Sequence, residues 1–233
     1  MRKYLILALL TISLAGYSQR TYPGFNIGLN IASFTADSTI LDRSAPRYGM
    51  NLGLIWDMYM NEDTYFQFGV MFSQQGVKYY SEYFYQGLFN KDMVLHKVDY
   101  LIFPLIWKQR WSSIYTQIGG YLGIIPLKPK STWYKYVYFP DSISVESGVY
   151  NSFTSNISFF DVGPIFGVGY QVQLNQQFDV FLQFNYRPGL IKVNKEYTRP
   201  IYQMKNQVFS ISVGLISIGA VSRHNRFVLK RKR

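Results

Sequence analysis

The residues in this sequence that could support acid–base or nucleophilic chemistry are few. There are two histidines, His96 and His224, and no cysteine. A serine nucleophile needs a histidine base and an acid that orients the base. Around His96 the candidates are Ser81 as nucleophile and Asp92 or Asp99 as acid. This spacing matches no catalytic motif, so we expect an exposed loop histidine and no catalytic residues.

Metal and cofactor sites have equally little support. Glu82, Asp92, His96 and Asp99 could converge, but their spacing matches no zinc or calcium pattern. Without cysteine, neither a disulfide framework nor a thiolate metal site can form. No glycine-rich phosphate loop precedes a helix. The sequence therefore predicts no metal and no cofactor.

The composition indicates a sheet with one apolar face. Of the 233 residues, 18% are aromatic and only 16% are charged, against roughly 25% charged in an ordinary soluble domain. The mean hydropathy is nevertheless only −0.04. Apolar and polar residues must therefore be interleaved, as they are in half-buried strands.

The first residues are typical of a secretory signal. Arg2 and Lys3 precede an apolar run from Tyr4 to Leu14, and small residues then precede Gln19. A membrane-spanning helix needs about 20 apolar residues, which this run lacks. We predict a signal peptide at 1–18, a β-barrel domain at 19–222 and a basic tail at 223–233.

Period-two alternation recurs along the predicted barrel domain and defines eight strands. One face of each strand is Leu, Ile, Val, Phe and Met, and the other is mainly Gly, Asn, Gln and Ser. The apolar positions fall within 25–31, 50–58, 66–72, 101–107, 116–124, 162–170, 180–186 and 209–215. Eight is the smallest even number of strands found in bacterial outer-membrane barrels. The fold predicted is all-β: an eight-stranded antiparallel up-and-down transmembrane β-barrel with long extracellular loops.

The connections alternate between short and long. Tight turns are predicted at 61–63, 110–113 and 174–177, and long loops at 33–47, 75–97, 125–159 and 190–206. Short periplasmic turns opposite long extracellular loops are typical of outer-membrane barrels. Both termini then lie in the periplasm, which separates His224 from His96 by the thickness of the membrane.

A soluble eight-stranded barrel is the main alternative. Its polar face would carry many Lys and Glu, whereas here that face is small and amide-rich. Aromatics near strand ends also suit the girdles of a membrane barrel: Trp56, Tyr59, Trp107, Trp111, Tyr170 and Tyr186. These features favour a Gram-negative outer-membrane location, in contact with lipid and lipopolysaccharide. Pro104 and Pro164 fall within strands, where we expect bulges.

Charged and amide residues on the inner face indicate either a selective pore or a plug of ion pairs and hydrogen bonds. Eight strands leave an interior just wide enough for side chains, which favours the plug. The residues predicted to form this luminal network are Asp57, Lys108, Asp161, Asp179, Gln183 and Arg187.

Two other regions are candidates for partner contact. Aromatics crowd two of the long loops: Tyr80, Tyr83, Tyr85, Trp133, Tyr134 and Tyr136. They suit protein or glycan binding, or the strands continue above the membrane as hairpins whose aromatics pack together. The tail carries Arg226, Lys230, Arg231, Lys232 and Arg233. In an exported protein these suit lipid phosphate or a periplasmic partner rather than nucleic acid, or form a solvated tail.

Four segments resemble the PorT-like outer-membrane β-barrels of the Bacteroidota. These segments are Gly24–Asn30 (G-x-x-x-G-x-N), Tyr100–Leu105 (Y-L-x-x-P-L), Asp161–Gly169 (D-x-G-x-x-x-G-x-G) and Tyr186–Leu190 (Y-x-x-G-L). The resemblance spans the mature chain and implies the same barrel, with Pro104 tolerated in its strand. One branch of that family is an accessory of type IX secretion, and the family brings no catalytic residues.

We therefore expect a non-enzymatic interaction or accessory component of envelope or secretion machinery. The alternatives are a small outer-membrane enzyme acting on lipid or peptide at the loop rim, and a narrow channel.

Overall fold

The computed structural model describes residues 21–35, 44–150, 157–193 and 204–218. Ten strands make up the fold: β1 (Thr21–Thr35), β2 (Ser44–Asn61), β3 (Thr64–Tyr85), β4 (Leu88–Trp111), β5 (Ile114–Ile124), β6 (Lys130–Tyr138), β7 (Ile143–Tyr150), β8 (Phe160–Gln173), β9 (Phe178–Lys192) and β10 (Lys205–Ser217). The signal peptide and the basic tail lie outside the described residues and remain predictions. Within those ranges, no helix is long and apolar enough to cross a membrane.

Eight of the ten strands close into a ring. The antiparallel order is β1-β2-β3-β4-β5-β8-β9-β10, and β10 pairs back with β1 from Gly24↔Ile216 to Thr35↔Lys205. Closure satisfies the backbone of every ring strand on both sides, which a lipid environment demands. The predicted eight-stranded antiparallel barrel is confirmed.

The two faces of the barrel are those that the alternation predicts. Outward apolar side chains such as Leu29, Leu52 and Ile118 are exposed by 63%, 56% and 56%. The residues between them point inward and are buried, as with Asn26 and Asn30. Exposed apolar area of this extent suits a lipid solvent rather than water.

The short connections lie where they were predicted. Two-residue turns join β2 to β3 and β4 to β5, and residues 174–177 join β8 to β9. At the last of these, the Asn175 side chain accepts hydrogen bonds from the backbone N–H groups of Gln177 and Phe178, at 2.8 and 2.9 Å. An asparagine that bonds its own turn in this way is a common turn device. Short turns are periplasmic in outer-membrane barrels, so we assign this end to the periplasm.

Two of the four predicted long loops are largely strand, which corrects the loop prediction and agrees with the alternative of hairpins above the membrane. β3 and β4 continue as a hairpin to a turn at Gln86 and Gly87, both with positive φ. β6 and β7 form a second hairpin that pairs with β4 from Phe89↔Tyr138 to Lys97↔Lys130. We call these four segments the extramembrane sheet: residues 76–85 of β3, 88–97 of β4, β6 and β7. The hydrocarbon thickness does not limit strands that continue above the membrane, so they outrun the roughly 10 residues that a span needs.

The bulges expected at the two prolines are also wrong. Pro104 pairs with Tyr121 and Pro164 with Gly120, both within an unbroken register. On the β3 side the pairing lapses between Phe68↔Leu105 and Met71↔Ile102 but resumes in the same register. Pro104 therefore interrupts the pairing of β4 with β3 locally, but no extra residue is inserted and no bulge forms.

Candidate functional site

The six luminal candidates are all buried on the inner face. Asp57 and Lys108 form an ion pair, with 3.0 Å between Oδ2 and Nζ. Gln67 Nε2 donates to Asp57 Oδ1 at 2.6 Å, and Lys108 Nζ lies 5.1 Å from the centre of the Tyr115 ring. Three strands, β2, β3 and β4, thus converge on one carboxylate.

Two more of the candidates lie in the same periplasmic half. Asp179 Oδ2 accepts from Gln171 Nε2 at 2.8 Å and is 3.9 Å from Arg110 Nη1. Gln183 Oε1 accepts from the Tyr115 hydroxyl at 3.1 Å. A cavity of about 10 Å³ lies beside Asp57 and Asp179, which is room for one water molecule. Buried polar side chains therefore line this half of the lumen.

Asp161 and Arg187 form a separate group in the outer half. Asp161 Oδ2 accepts from the Tyr121 hydroxyl at 3.0 Å and from Asn206 Nδ2 at 2.9 Å. Arg187 Nη2 instead donates to Asn30 Oδ1 and Ser73 Oγ, both at 3.3 Å. The six candidates therefore belong to two clusters along the barrel axis rather than to one network.

A buried apolar cluster lies inside the outer half of the barrel, and the sequence did not predict it. Its members lie on β1, β3, β4, β5 and β8 and in the segments that follow β5 and β9 and precede β8. They are Phe34, Met71, Val77, Val98, Tyr100, Ile102, Ile106, Tyr121, Ile125, Ile157, Ile165 and Val193. The alternation already placed Ile102 and Ile106 inward, but their apolar character ran against the polar lumen that was expected.

Glycine makes room for the large inner side chains, as its placement on the inner face predicts. A Cβ added at Gly169 would lie 2.2 Å from Cζ of the Tyr115 ring. Tyr115 is itself almost fully buried. Only the absence of a side chain at Gly169 lets this ring cross the lumen.

His96 does not lie in a loop, which corrects that expectation. It lies on β4 beyond Leu101↔Ile124, the last pair of the barrel wall between β4 and β5. Its Nδ1 is 2.5 Å from Ser131 Oγ, and its ring meets the Tyr79 ring edge-on at 5.4 Å between centres. Burial lowers the pKa of His96 to about 4 and raises the pKa of Tyr79 to about 12.

The serine and acids considered for a catalytic triad are not brought to His96. Ser81 pairs with Asp92, which lies four residues from His96, or about 13 Å along β4. Asp99 forms an ion pair with Arg47 at 3.1 Å. Ser131, which does contact His96, is fully buried. In the described part of the chain there is also no cluster of residues that could hold a metal ion.

The six aromatic candidates all lie on strands of the extramembrane sheet. The cross-strand rows Tyr80↔Met93↔Tyr134 and Lys91↔Tyr136 place three of them on the face that continues the lipid-facing wall. Tyr83, Tyr85 and Trp133 alternate to the other face. Gly148 of β7 lies against Trp133, where a Cβ would be 2.6 Å from Nε1.

A ring of eight antiparallel strands with an apolar outer wall and a filled interior is the geometry of an outer-membrane barrel. The family model described as outer membrane protein beta-barrel domain matches residues 18–195. The chain belongs to this family. Outer-membrane barrel proteins of this family lie in the lipid of the Gram-negative outer membrane, so the outer wall contacts lipid.

Solved outer-membrane barrels are similar to this barrel protein at low identity. Neisserial surface protein A is 16% identical, with a TM-score of 0.37, covering 84% of this chain and 96% of its own. Ail of Yersinia pestis is 11% identical, with a TM-score of 0.31, covering 85% and 98%. OprG of Pseudomonas aeruginosa is 12% identical, with a TM-score of 0.32, covering 84% and 93%. No curated protein matches the chain.

Proposed function

We propose that this outer-membrane barrel is a non-enzymatic interaction or accessory component of the cell envelope, and that it contacts its partner through the extramembrane sheet. The observation that carries this proposal is the sheet itself. Four strands project beyond the barrel wall and present Tyr80, Tyr134 and Tyr136 on one face. Rigid aromatics on a preformed surface are well suited to protein or glycan contact.

The interior supports this role over a channel. The two polar clusters and the apolar cluster consist of side chains that are buried inside the barrel. A channel would need a continuous polar path along the barrel axis. Eight strands leave an interior only just wide enough for side chains. The buried side chains in both halves of the lumen support a filled interior over such a path.

The surroundings of His96 support a non-enzymatic role. The Nδ1 atom of His96 contacts Ser131 Oγ, and Ser131 is fully buried. A nucleophile has to reach its substrate, and a base has to be oriented by an acid. The hydroxyl that contacts this histidine is buried, so it does not meet the first of these conditions.

A role in secretion is the finer form of this proposal. It rests on the four strand motifs that resemble the PorT-like barrels of the Bacteroidota, one branch of which is an accessory of type IX secretion. In that setting the extramembrane sheet would hold a partner of the secretion machine at the outer surface.

Complementation of a deletion strain tests both forms. The test variant is Tyr134→Ser with Tyr136→Ser. The matched control is Tyr48→Ser, since Tyr48 is 70% exposed on β2 and lies outside the extramembrane sheet. The readouts are the amount of heat-modifiable barrel, resistance of the envelope to detergent, and the set of secreted proteins. We expect the double variant to fold at wild-type amounts yet fail to restore the strain, while the control restores it.

The outcomes separate the two forms of the proposal. Loss of secreted proteins alone supports the secretion role, and loss of envelope resistance alone supports a general envelope role. A double variant that folds and restores both readouts overturns the proposed interaction surface.

A further inference from the structure

Lysines oppose each other directly where the barrel wall gives way to the extramembrane sheet. Lys97 of β4 pairs across the strand with Lys130 of β6. Lys78 of β3, which pairs with Leu95, is the diagonal neighbour of Lys97. Like charges placed directly opposite on one face destabilise a sheet. An anion placed between the lysines would relieve this repulsion.

These lysines lie on the face that continues the lipid-facing wall. Along β4 the outward positions run Trp107, Leu105, Phe103 and Leu101 before Asp99 and Lys97. Lys97 is four residues beyond Leu101, which is about 13 Å along the strand and less when the strand is tilted. Lysine side chains reach several ångströms toward an interface. Their ammonium groups can thus reach the head-group layer of the outer leaflet.

No carboxylate of the described ranges neutralises this lysine group. The ion pairs found there join Arg47 to Asp99, Lys91 to Glu82, Lys108 to Asp57 and Arg110 to Asp179. Asp99, the nearest acid on β4, is held by Arg47 Nη1 at 3.1 Å. Lys130 is exposed and Lys97 is half-buried, so both can be approached from outside the wall.

We propose that Lys97 and Lys130, with Lys78 beside them, bind a phosphate group of lipopolysaccharide lipid A in the outer leaflet. The charge of the phosphate matches the lysines, and its depth matches their place just above the apolar band. The lipid that fills this position is fixed by the outer-membrane location. The inference does not depend on the proposed interaction role of the extramembrane sheet.

The test titrates the full-length protein in detergent with phosphorylated lipid A and with dephosphorylated lipid A. Native mass spectrometry counts the lipids that each barrel retains. A second opposed pair, Lys192 and Lys205, lies on the other side of the ring, so every variant is made in a K192Q/K205Q background. In that background K97Q/K130Q is compared with the unchanged parent, with K97R/K130R, and with K91Q.

We expect K97Q/K130Q to bind phosphorylated lipid A about 25-fold more weakly, since each lysine at an anionic surface contributes about a factor of five. K97R/K130R should retain binding because it keeps the charge. K91Q should match the parent, since Lys91 lies farther from the membrane and is already paired with Glu82. Dephosphorylated lipid A should bind the parent and K97Q/K130Q alike.

Two results would overturn the proposal. One is a folded K97Q/K130Q barrel, shown by its heat-modifiable mobility, that binds phosphorylated lipid A as tightly as the parent. The other is a parent that binds phosphorylated and dephosphorylated lipid A equally, because the phosphate then contributes nothing.

Discussion

Two lysine–carboxylate pairs show how the lumen and the extramembrane sheet differ. Lys108 and Asp57 lie 3.0 Å apart inside the barrel, with side chains 3% and 5% exposed. Lys91 and Glu82 lie 2.7 Å apart on the extramembrane sheet, with side chains 31% and 45% exposed. The exposed pair is the shorter one. Distance therefore does not decide what each pair contributes, and the solvent around it does.

The two pairs also differ in what they connect. The luminal pair joins residues 51 apart in the sequence, and the pair on the sheet joins residues nine apart. Lys108 and Asp57 lie on strands that are not neighbours in the ring, because β3 runs between them. A contact that joins β2 to β4 over β3 resists separation of three barrel strands, whereas a contact within a hairpin resists only local fraying.

The largest effect expected from this comparison follows Lys108→Met. Removing the ammonium leaves the buried Asp57 carboxylate with Gln67 as its main partner. An uncompensated buried charge of this kind destabilises a protein by about 3–5 kcal/mol. We expect the urea midpoint of the folded barrel, followed by its heat-modifiable band, to fall sharply.

A paired substitution checks the cause. Asp57→Asn with Lys108→Met removes both charges and should recover most of the lost stability. Equal stability of the wild type and Lys108→Met would show that the lumen is hydrated enough to solvate Asp57, and the contrast between the two regions would disappear.

The alternation in the sequence was enough to predict the ring and its two faces, because a period of two leaves each side chain only two directions. It also placed Asp57 and Lys108 inside. The alternation could not predict that Arg187 donates hydrogen bonds to Asn30 and Ser73 rather than to Asp161. Such partners depend on the stagger of the strands around the ring. The alternation also left open whether the aromatic segments were loops or hairpins above the membrane, because nothing in a period-two pattern distinguishes a hairpin in water from a loop of mixed polarity.

We expect mild acidification to destabilise the part of the extramembrane sheet around His96. Burial lowers the pKa of His96 to about 4, against about 6.5 in an unfolded chain. Between these two values the unfolded state binds the proton and the folded state does not, so stability falls as the pH falls. The loss begins near pH 6.5 and reaches at most about 3 kcal/mol below pH 4.

Hydrogen exchange along β4 and β6, measured at pH 7 and at pH 4.5 after correction for the intrinsic rate, tests this effect. Protection near His96 should fall at the lower pH while the barrel wall stays protected. His96→Gln removes the titrating group and should give the same protection at both values. A wall that loosens together with the sheet would mean that the two regions unfold as one unit.

The smallest effect expected is that of Lys91→Met, the counterpart of Lys108→Met on the extramembrane sheet. The hydrogen bond that Lys91 donates to Glu82 raises the pKa of Lys91, and the ammonium lies 4.9 Å from the centre of the Tyr80 ring. Water nevertheless solvates both Glu82 and Lys91, so neither is left buried when the other is removed. We expect the urea midpoint of the barrel to stay within its measurement error, with no rise when Glu82→Gln is added. An exposed pair can affect the barrel wall only if the extramembrane sheet and the barrel are coupled. A drop in that midpoint as large as the one caused by Lys108→Met would therefore show that the sheet is coupled to the wall as tightly as the lumen is.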